Sequence, residues 1–156
     1  MIRIGKIFEA HLTVSSLDRA MSFYGNTLGL ELAHLIRERG VAFYWLGERG
    51  TSMLGLWSSI GPLRMSLHTA FEADLDDVLN AAEALRKAGI TPLDFYGQLT
   101  DEPVVLGWMP AASLYFQDPD GNSLEFLAML NEQPAPDLGV ISWSEWIARR
   151  MATAQR

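Results

Sequence analysis

Apolar residues recur at helical spacing in two places along the chain. Leu17, Ala20, Met21, Tyr24 and Leu28 fall on one face of a helix over 17–28, and Leu75, Val78, Leu79, Ala82 and Leu85 do the same over 75–88. Ser15 or Ser16 caps the first helix and Gly29 ends it. Asp74 caps the second, Asp76 and Asp77 occupy its positive first turn, and Gly89 closes it. A strand-like run precedes each helix, over 6–14 and 65–71. After the first helix come runs at 31–37, 41–46 and 51–57, parted by Gly40 and by Glu48-Arg49-Gly50. After the second come a vaguer run at 91–96 and clear ones at 113–117 and 123–129. Between the last two, Asp118-Pro119-Asp120-Gly121 suits a type I turn, with Asp first, Pro second and Gly fourth.

The order β-α-β-β-β is thus written twice. His11 recurs as His68, Asp18 as Asp76 and Gly29 as Gly89; by the final strand the offset has grown, and Ser52-Met53-Leu54 aligns with Ser123-Leu124-Glu125. The second unit therefore carries an insertion, assigned to 97–112. A repeat too small to fold alone implies two units packed around a shared core. The expected fold class is α+β: two tandem βαβββ modules, about 4–60 and 63–130, forming one domain over 1–131 and joined at Gly61-Pro62. Residues 132–156 read as a linker and a short C-terminal helix, in which Trp143 and Trp146 suggest docking on the body or on a partner chain.

Composition narrows the function. Of 156 residues, 49% are hydrophobic and 20% charged, which supplies a core and excludes a disordered chain. A net charge of -7 repels phosphate backbones and anionic lipid, so neither nucleic acid nor a membrane surface is expected as partner. No cysteine is present, which removes disulfides, thiolate metal sites and cysteine nucleophiles. The first residues hold no apolar run suited to a signal peptide, and no stretch has the roughly 20 apolar residues of a membrane helix, so a soluble, cytoplasmic protein is expected.

The repeat also places chemistry. A single histidine on a buried strand is ordinarily a satisfied core residue. His11 and His68 occupy equivalent positions in the first strand of each unit, among apolar neighbours, and pseudo-twofold symmetry brings equivalent positions together; neutral imidazole is the commonest metal ligand. Glu125 lies in the apolar run Ser123-Leu124-Glu125-Phe126-Leu127, where an ionised carboxylate is costly unless paired or metal-bound; the alternative is an outward position in water. His34 has no counterpart and reads as structural or surface.

His11-Leu12-Thr13-Val14, Leu17-Asp18-Arg19-Ala20-Met21-Ser22-Phe23-Tyr24 and Leu28-Gly29-Leu30, with the run from Leu114 to Glu125, resemble the vicinal oxygen chelate superfamily. That superfamily includes glyoxalase I, bleomycin-resistance proteins, fosfomycin-resistance enzymes and extradiol dioxygenases. The resemblance implies curled mixed sheets around a shared cavity that commonly holds one divalent metal ion. Its ligand places fall on His11, His68 and Glu125, and Zn, Ni, Mn or Fe all suit such a set. Thr13 and Tyr115 match places used around the ligand in the fosfomycin-resistance enzymes and are the candidate catalytic groups. Glyoxalase I usually has a further carboxylate where this chain has Leu54. Residues 97–112 contain no Lys or Arg, which disfavours a phosphonate, and no histidine follows His68, which disfavours standard extradiol cleavage.

Two functions follow. One is a metal-dependent enzyme of lyase, isomerase or transferase type, in which the metal stabilises oxygen charge on a small, uncharged or partly apolar substrate. The other is a metal-free module that sequesters a drug or hydrophobic metabolite. In either, Trp45, Trp57 and Trp108 are candidate ligand-binding residues, against the alternative that they fill the sheets. The resemblance also implies a homodimer.

Overall fold

The protein is described by a computed structural model over residues 7–59 and 66–154. The Gly61-Pro62 join and the outermost residues of both first-strand runs, at 6 and 65, lie outside the described residues. The fold is α+β with two mixed sheets, each generated by a βαβββ pattern. The chain divides into two units: the first ends at Leu67 and takes in Asp118–Asn122, and the second holds His68–Gln117 and everything from Ser123.

In the first unit, β1 (Glu9–Val14) leads into α1 (Leu17–Met21), which widens into a π-helical stretch over Ser22–Thr27. Ser16 caps it, its hydroxyl accepting from the Arg19 amide at 3.3 Å. The chain leaves through Gly29, whose φ of 74° is open to glycine at no steric cost. β2 (Glu31–Ile36), β3 (Val41–Trp45) and β4 (Met53–Ser58) complete a sheet of order β1-β4-β3-β2, with β1 parallel to β4. Alternation along the strands puts Leu12, Val14, Ala42, Tyr44, Leu54 and Leu56 in the core. Tyr44 lies against Gly25 of the helical segment, which marks its sheet face as the one the helix covers.

In the second unit, β5 (His68–Glu72) and α2 (Leu75–Lys87) precede β6 (Val104–Leu106), β7 (Ala111–Gln117) and β8 (Ser123–Met129). Asp74 occupies the N-cap position of α2 without a side-chain hydrogen bond. The sheet order is β5-β8-β7-β6-β9, where β9 (Val140–Ser142) is a fifth strand. Val78 on α2 packs with Ala112 and Ala128, so even-numbered positions of β7 and β8 face the helix.

The structure corrects two readings of this half. The run at 91–96 is not a strand; it makes isolated bridges only, from Leu93 to Leu99 and Tyr115. The missing strand is β6, inside the stretch read as an insertion. Three apolar residues are too few to show a period, yet all are buried and bonded on both edges. The tail, read as a linker and a short helix, also holds a strand. β9 pairs with β6, and α3 (Trp143–Ala154) runs for 12 residues with Trp146 only 6% exposed. Trp143 packs on the Val78, Ala112 and Ala128 cluster, so this pair of tryptophans docks on the body of its own unit. No helix among the described residues is long and apolar enough to cross a membrane.

Candidate functional site

β8 is an inner strand of the second sheet, and its side chains alternate between the helix-covered face and the open one. Leu124, Phe126 and Ala128 are helix-facing by position, whereas Ser123, Glu125 and Leu127 line a cavity of about 520 Å³. His68 and Ala70 of β5, Tyr115 of β7, Leu106 of β6 and the loop residues Phe95, Trp108 and Met109 complete the lining. Glu125 is 4% exposed. Its Oε2 lies 3.1 Å from His68 Nε2, and among the described residues its Oε1 is buried with no group in hydrogen-bonding geometry. His68 Nδ1 is 3.2 Å from the Ser123 hydroxyl. With the Ser123 hydroxyl donating to Nδ1, Nε2–H donates to Glu125 Oε2; a bound metal ion would instead take the Nε2 lone pair, with Nδ1–H donating to Ser123.

Tyr115 stands directly across the ladder from Glu125. Burial, and then the negative charge of Glu125, push its phenol well above the usual tyrosine range. It therefore stays protonated at neutral pH, as a hydrogen-bond donor. Its ring is 6.0 Å from His68 on one side and 6.0 Å from Phe95 on the other, the latter edge-on.

His11 belongs to the first unit. Its Nε2 is paired with the Glu9 carboxylate, and its ring lies 5.5 Å from Trp57 and 5.9 Å from Phe43. The ring sits over Gly55: a Cβ there would come within 3.0 Å of it. Trp57 also carries the Arg39 guanidinium over its ring at 5.2 Å. Thr13 pairs in register with Trp57 and is half-buried, with its carbonyl 3.5 Å from Asn122 Nδ2. Trp45 pairs with Glu31 and Met53 at the other end of β3.

The structure thus unites His68, Glu125, Tyr115 and Trp108 around one cavity and sets His11, Thr13 and Trp57 together on the first sheet. Trp45 and Trp57 line neither the second unit's cavity nor the shallower one beside α1. Two expectations change. The histidines are not buried: their side chains are 38% and 50% exposed, because β1 and β5 are sheet edges and both rings lie away from the helices. Nor is Leu54 the counterpart of Glu125. His11 pairs with Gly55 and His68 with Ser123, so two residues further on Thr13–Trp57 matches Ala70–Glu125. Leu54 is fully buried on the helix-covered face. His34 is exposed on β2, in keeping with the surface reading.

Sequence reasoning missed Ser123 and Phe95 in the cavity and Glu9 beside His11. Ser123 and Glu9 each sit two residues from a singled-out group, which in a strand means the same face. It also passed over the buried polar knot behind the Asp118 turn. Asp118 Oδ1 accepts from the amides of Asp120 and Asn122 at 2.9 and 2.8 Å, and Oδ2 accepts from the Tyr24 hydroxyl and Asn122 Nδ2 at 2.9 and 2.8 Å. Asn122 Oδ1 in turn accepts from the Leu67 amide at 3.1 Å, beside His68 in the chain.

No group of three or more His, Asp or Glu side chains able to share a metal ion occurs among the described residues. The His68–Glu125 pair nevertheless fits two positions of a divalent ion. It offers one imidazole nitrogen and one carboxylate, with a buried carboxylate oxygen that has no hydrogen-bond partner among the described residues.

A family model described as the glyoxalase/bleomycin resistance protein/dioxygenase superfamily matches residues 3–126, and the chain belongs to that superfamily. An integron cassette protein from the mobile metagenome of the Halifax Harbour sewage outfall is 30% identical. It aligns over 81% of this chain and 100% of its own, with a TM-score of 0.70. The same fold recurs in the oxidase ChaP-H2, at 21% identity, 85% and 100% coverage and a TM-score of 0.65. It recurs again in lactoylglutathione lyase from Agrobacterium tumefaciens, at 23% identity, 80% and 94% coverage and a TM-score of 0.61.

Proposed function

We propose that this protein is a metal-dependent enzyme that binds a small, uncharged or partly apolar oxygenated substrate in the cavity of its second unit and performs lyase, isomerase or transferase chemistry. The observation that carries this reading is Glu125: a carboxylate 4% exposed, with one oxygen on His68 and the other without a hydrogen-bond partner among the described residues. Such a group is expensive to keep unless something binds it. His68 and Glu125 would hold one divalent ion, and His11 enters the proposal as third ligand from the sequence repeat alone. When bound, the ion supplies Lewis acidity toward substrate oxygens.

The remaining roles belong to the chain. Ser123 fixes the His68 ring through Nδ1. Tyr115, held protonated, donates a hydrogen bond or a proton to a substrate oxygen beside Glu125. Thr13 would offer a second hydroxyl to substrate. Phe95, Leu106, Trp108, Met109 and Leu127 supply apolar wall, and among the described residues no Lys or Arg lines the cavity, which favours a neutral ligand. That same wall favours the second reading, a metal-free module that sequesters a drug or hydrophobic metabolite. A homodimer is part of either proposal through the family.

Elemental mass spectrometry of untagged protein purified without chelator separates the two readings, run beside His68→Ala. About one divalent ion per chain in the wild type, lost in the variant, supports the enzyme. No metal as purified, and none retained after exposure to Zn, Ni, Mn or Fe, sinks it in favour of the ligand trap.

A further inference from the structure

We infer that the C-terminal strap, from Ala135 through α3 and beyond the reach of the family match, braces the binding-site wall from behind and so sets what the cavity accepts. The inference rests on the cavity of the proposed function being a ligand site.

β6 has β7 on one side, and its other edge would otherwise present bare amides and carbonyls. β9 covers that edge, pairing Val104 with Ser142, Val105 with Ile141 and Leu106 with Val140. The bonding continues past the strand. The Gly107 amide donates to the Gly139 carbonyl at 2.8 Å, and the Ala135 amide donates to the Gly107 carbonyl at 2.8 Å. This approach needs glycine, since a Cβ on Gly107 would stand 2.6 Å from the Ala135 carbonyl oxygen and 3.0 Å from that of Gly139.

Upstream the fastening is as close. The Trp143 amide donates to the Pro103 carbonyl at 2.9 Å. The Glu102 carboxylate accepts from the Ser144 amide at 2.9 Å and from its hydroxyl at 2.8 Å, which caps the start of α3. Trp143 and Trp146 anchor the helix in the second unit's core, and Arg150 reaches back to Glu132 at 2.9 Å.

The strapped segment therefore runs from Glu102 to Gly107, and it carries Leu106 and, directly after it, Trp108 and Met109 into the cavity lining. Trp108 is 55% exposed, so its position depends on the backbone that bears it. The strap and the apolar wall are one mechanical piece. Loosening one end moves the other, while His68 and Glu125 sit on β5 and β8, across the sheet from β6.

The test uses full-length Gly107→Ala, Glu102→Ala and Trp108→Ala beside the wild type. N-phenyl-1-naphthylamine serves as a neutral aromatic probe, zinc uptake is measured separately, and hydrogen exchange is followed over 104–110. Gly107→Ala and Glu102→Ala are expected to speed that exchange by about tenfold or more. All three variants are expected to weaken probe binding by about fivefold or more, with zinc uptake as in the wild type. Faster exchange with probe affinity held within about twofold overturns the inference, as does unaltered exchange in Gly107→Ala. Wild-type probe affinity in Trp108→Ala, or no probe binding by the wild type, overturns it too. Absence of zinc uptake by the wild type sinks the proposed enzyme instead, and the strap is then judged on probe and exchange.

Discussion

His68 Nε2 stands 3.1 Å from Glu125 Oε2, with the imidazole side chain 50% exposed and the carboxylate 5% exposed. The pair joins an edge strand to its inner neighbour, so one partner is reachable from solvent while the other is held in the sheet. This asymmetry suits a site that must be both entered and fixed.

Replacing Glu125 by leucine separates stability from function. The carboxylate is buried with an oxygen that has no hydrogen-bond partner among the described residues, and an apolar side chain of similar bulk removes that cost. We expect Glu125→Leu to raise stability by about 1–2 kcal/mol in urea denaturation while weakening metal binding by about 100-fold or more. A variant that is less stable than the wild type and still takes up metal would contradict both halves.

Gly55 reports on His11. The Cβ of alanine there would meet the imidazole at 3.0 Å, so the ring must shift by a few tenths of an ångström. Gly55→Ala is expected to change stability by less than about 1 kcal/mol, because the strand gains from losing a glycine what it loses in crowding. If His11 is a ligand, isothermal titration with zinc will show affinity reduced by about tenfold or more. Unchanged affinity removes His11 from the set.

The polar knot at Asp118 is expected to matter for folding. Tyr24→Phe takes away one of two donors to Asp118 Oδ2 and should cost about 1–3 kcal/mol. Asn122→Ala takes the other donor from Asp118 Oδ2 and also strands the Leu67 amide, and should cost about 2–4 kcal/mol. Chemical denaturation of the two variants checks the order. Tyr24→Phe proving the more damaging would overturn this account.

Alkaline pH should weaken the protein through Tyr24 and Tyr115. Both phenols are pushed up, first by burial and then by a neighbouring carboxylate, Asp118 and Glu125 respectively. A raised folded value means that the unfolded chain gives up its proton first. The contribution is complete below the unfolded pKa of about 10 and falls above it, by up to about 1.4 kcal/mol per pH unit for fully buried Tyr24. Melting temperatures from pH 9 to 11 should fall more steeply in the wild type than in Tyr24→Phe. Parallel curves would contradict the assignment.

The repeat, the two helices with their caps and stops, seven of the strands and the Asp118 turn were legible in the sequence. Each rests on a period or a turn signal carried by neighbouring residues. β6 and β9 were not, because three-residue strands have no period and exist only because each supplies the other's hydrogen bonds. The site divides in the same way. Residue types marked out His11, His68, Glu125 and Tyr115 from spacing and resemblance alone. Burial and register are properties of the sheet, and only the tertiary structure set the histidines on exposed edges, placed Glu125 inside, made Trp57 its counterpart and drew the tail up against the cavity wall. Those outcomes depend on which strand lies next to which, a relation among residues far apart in the chain that no local pattern encodes.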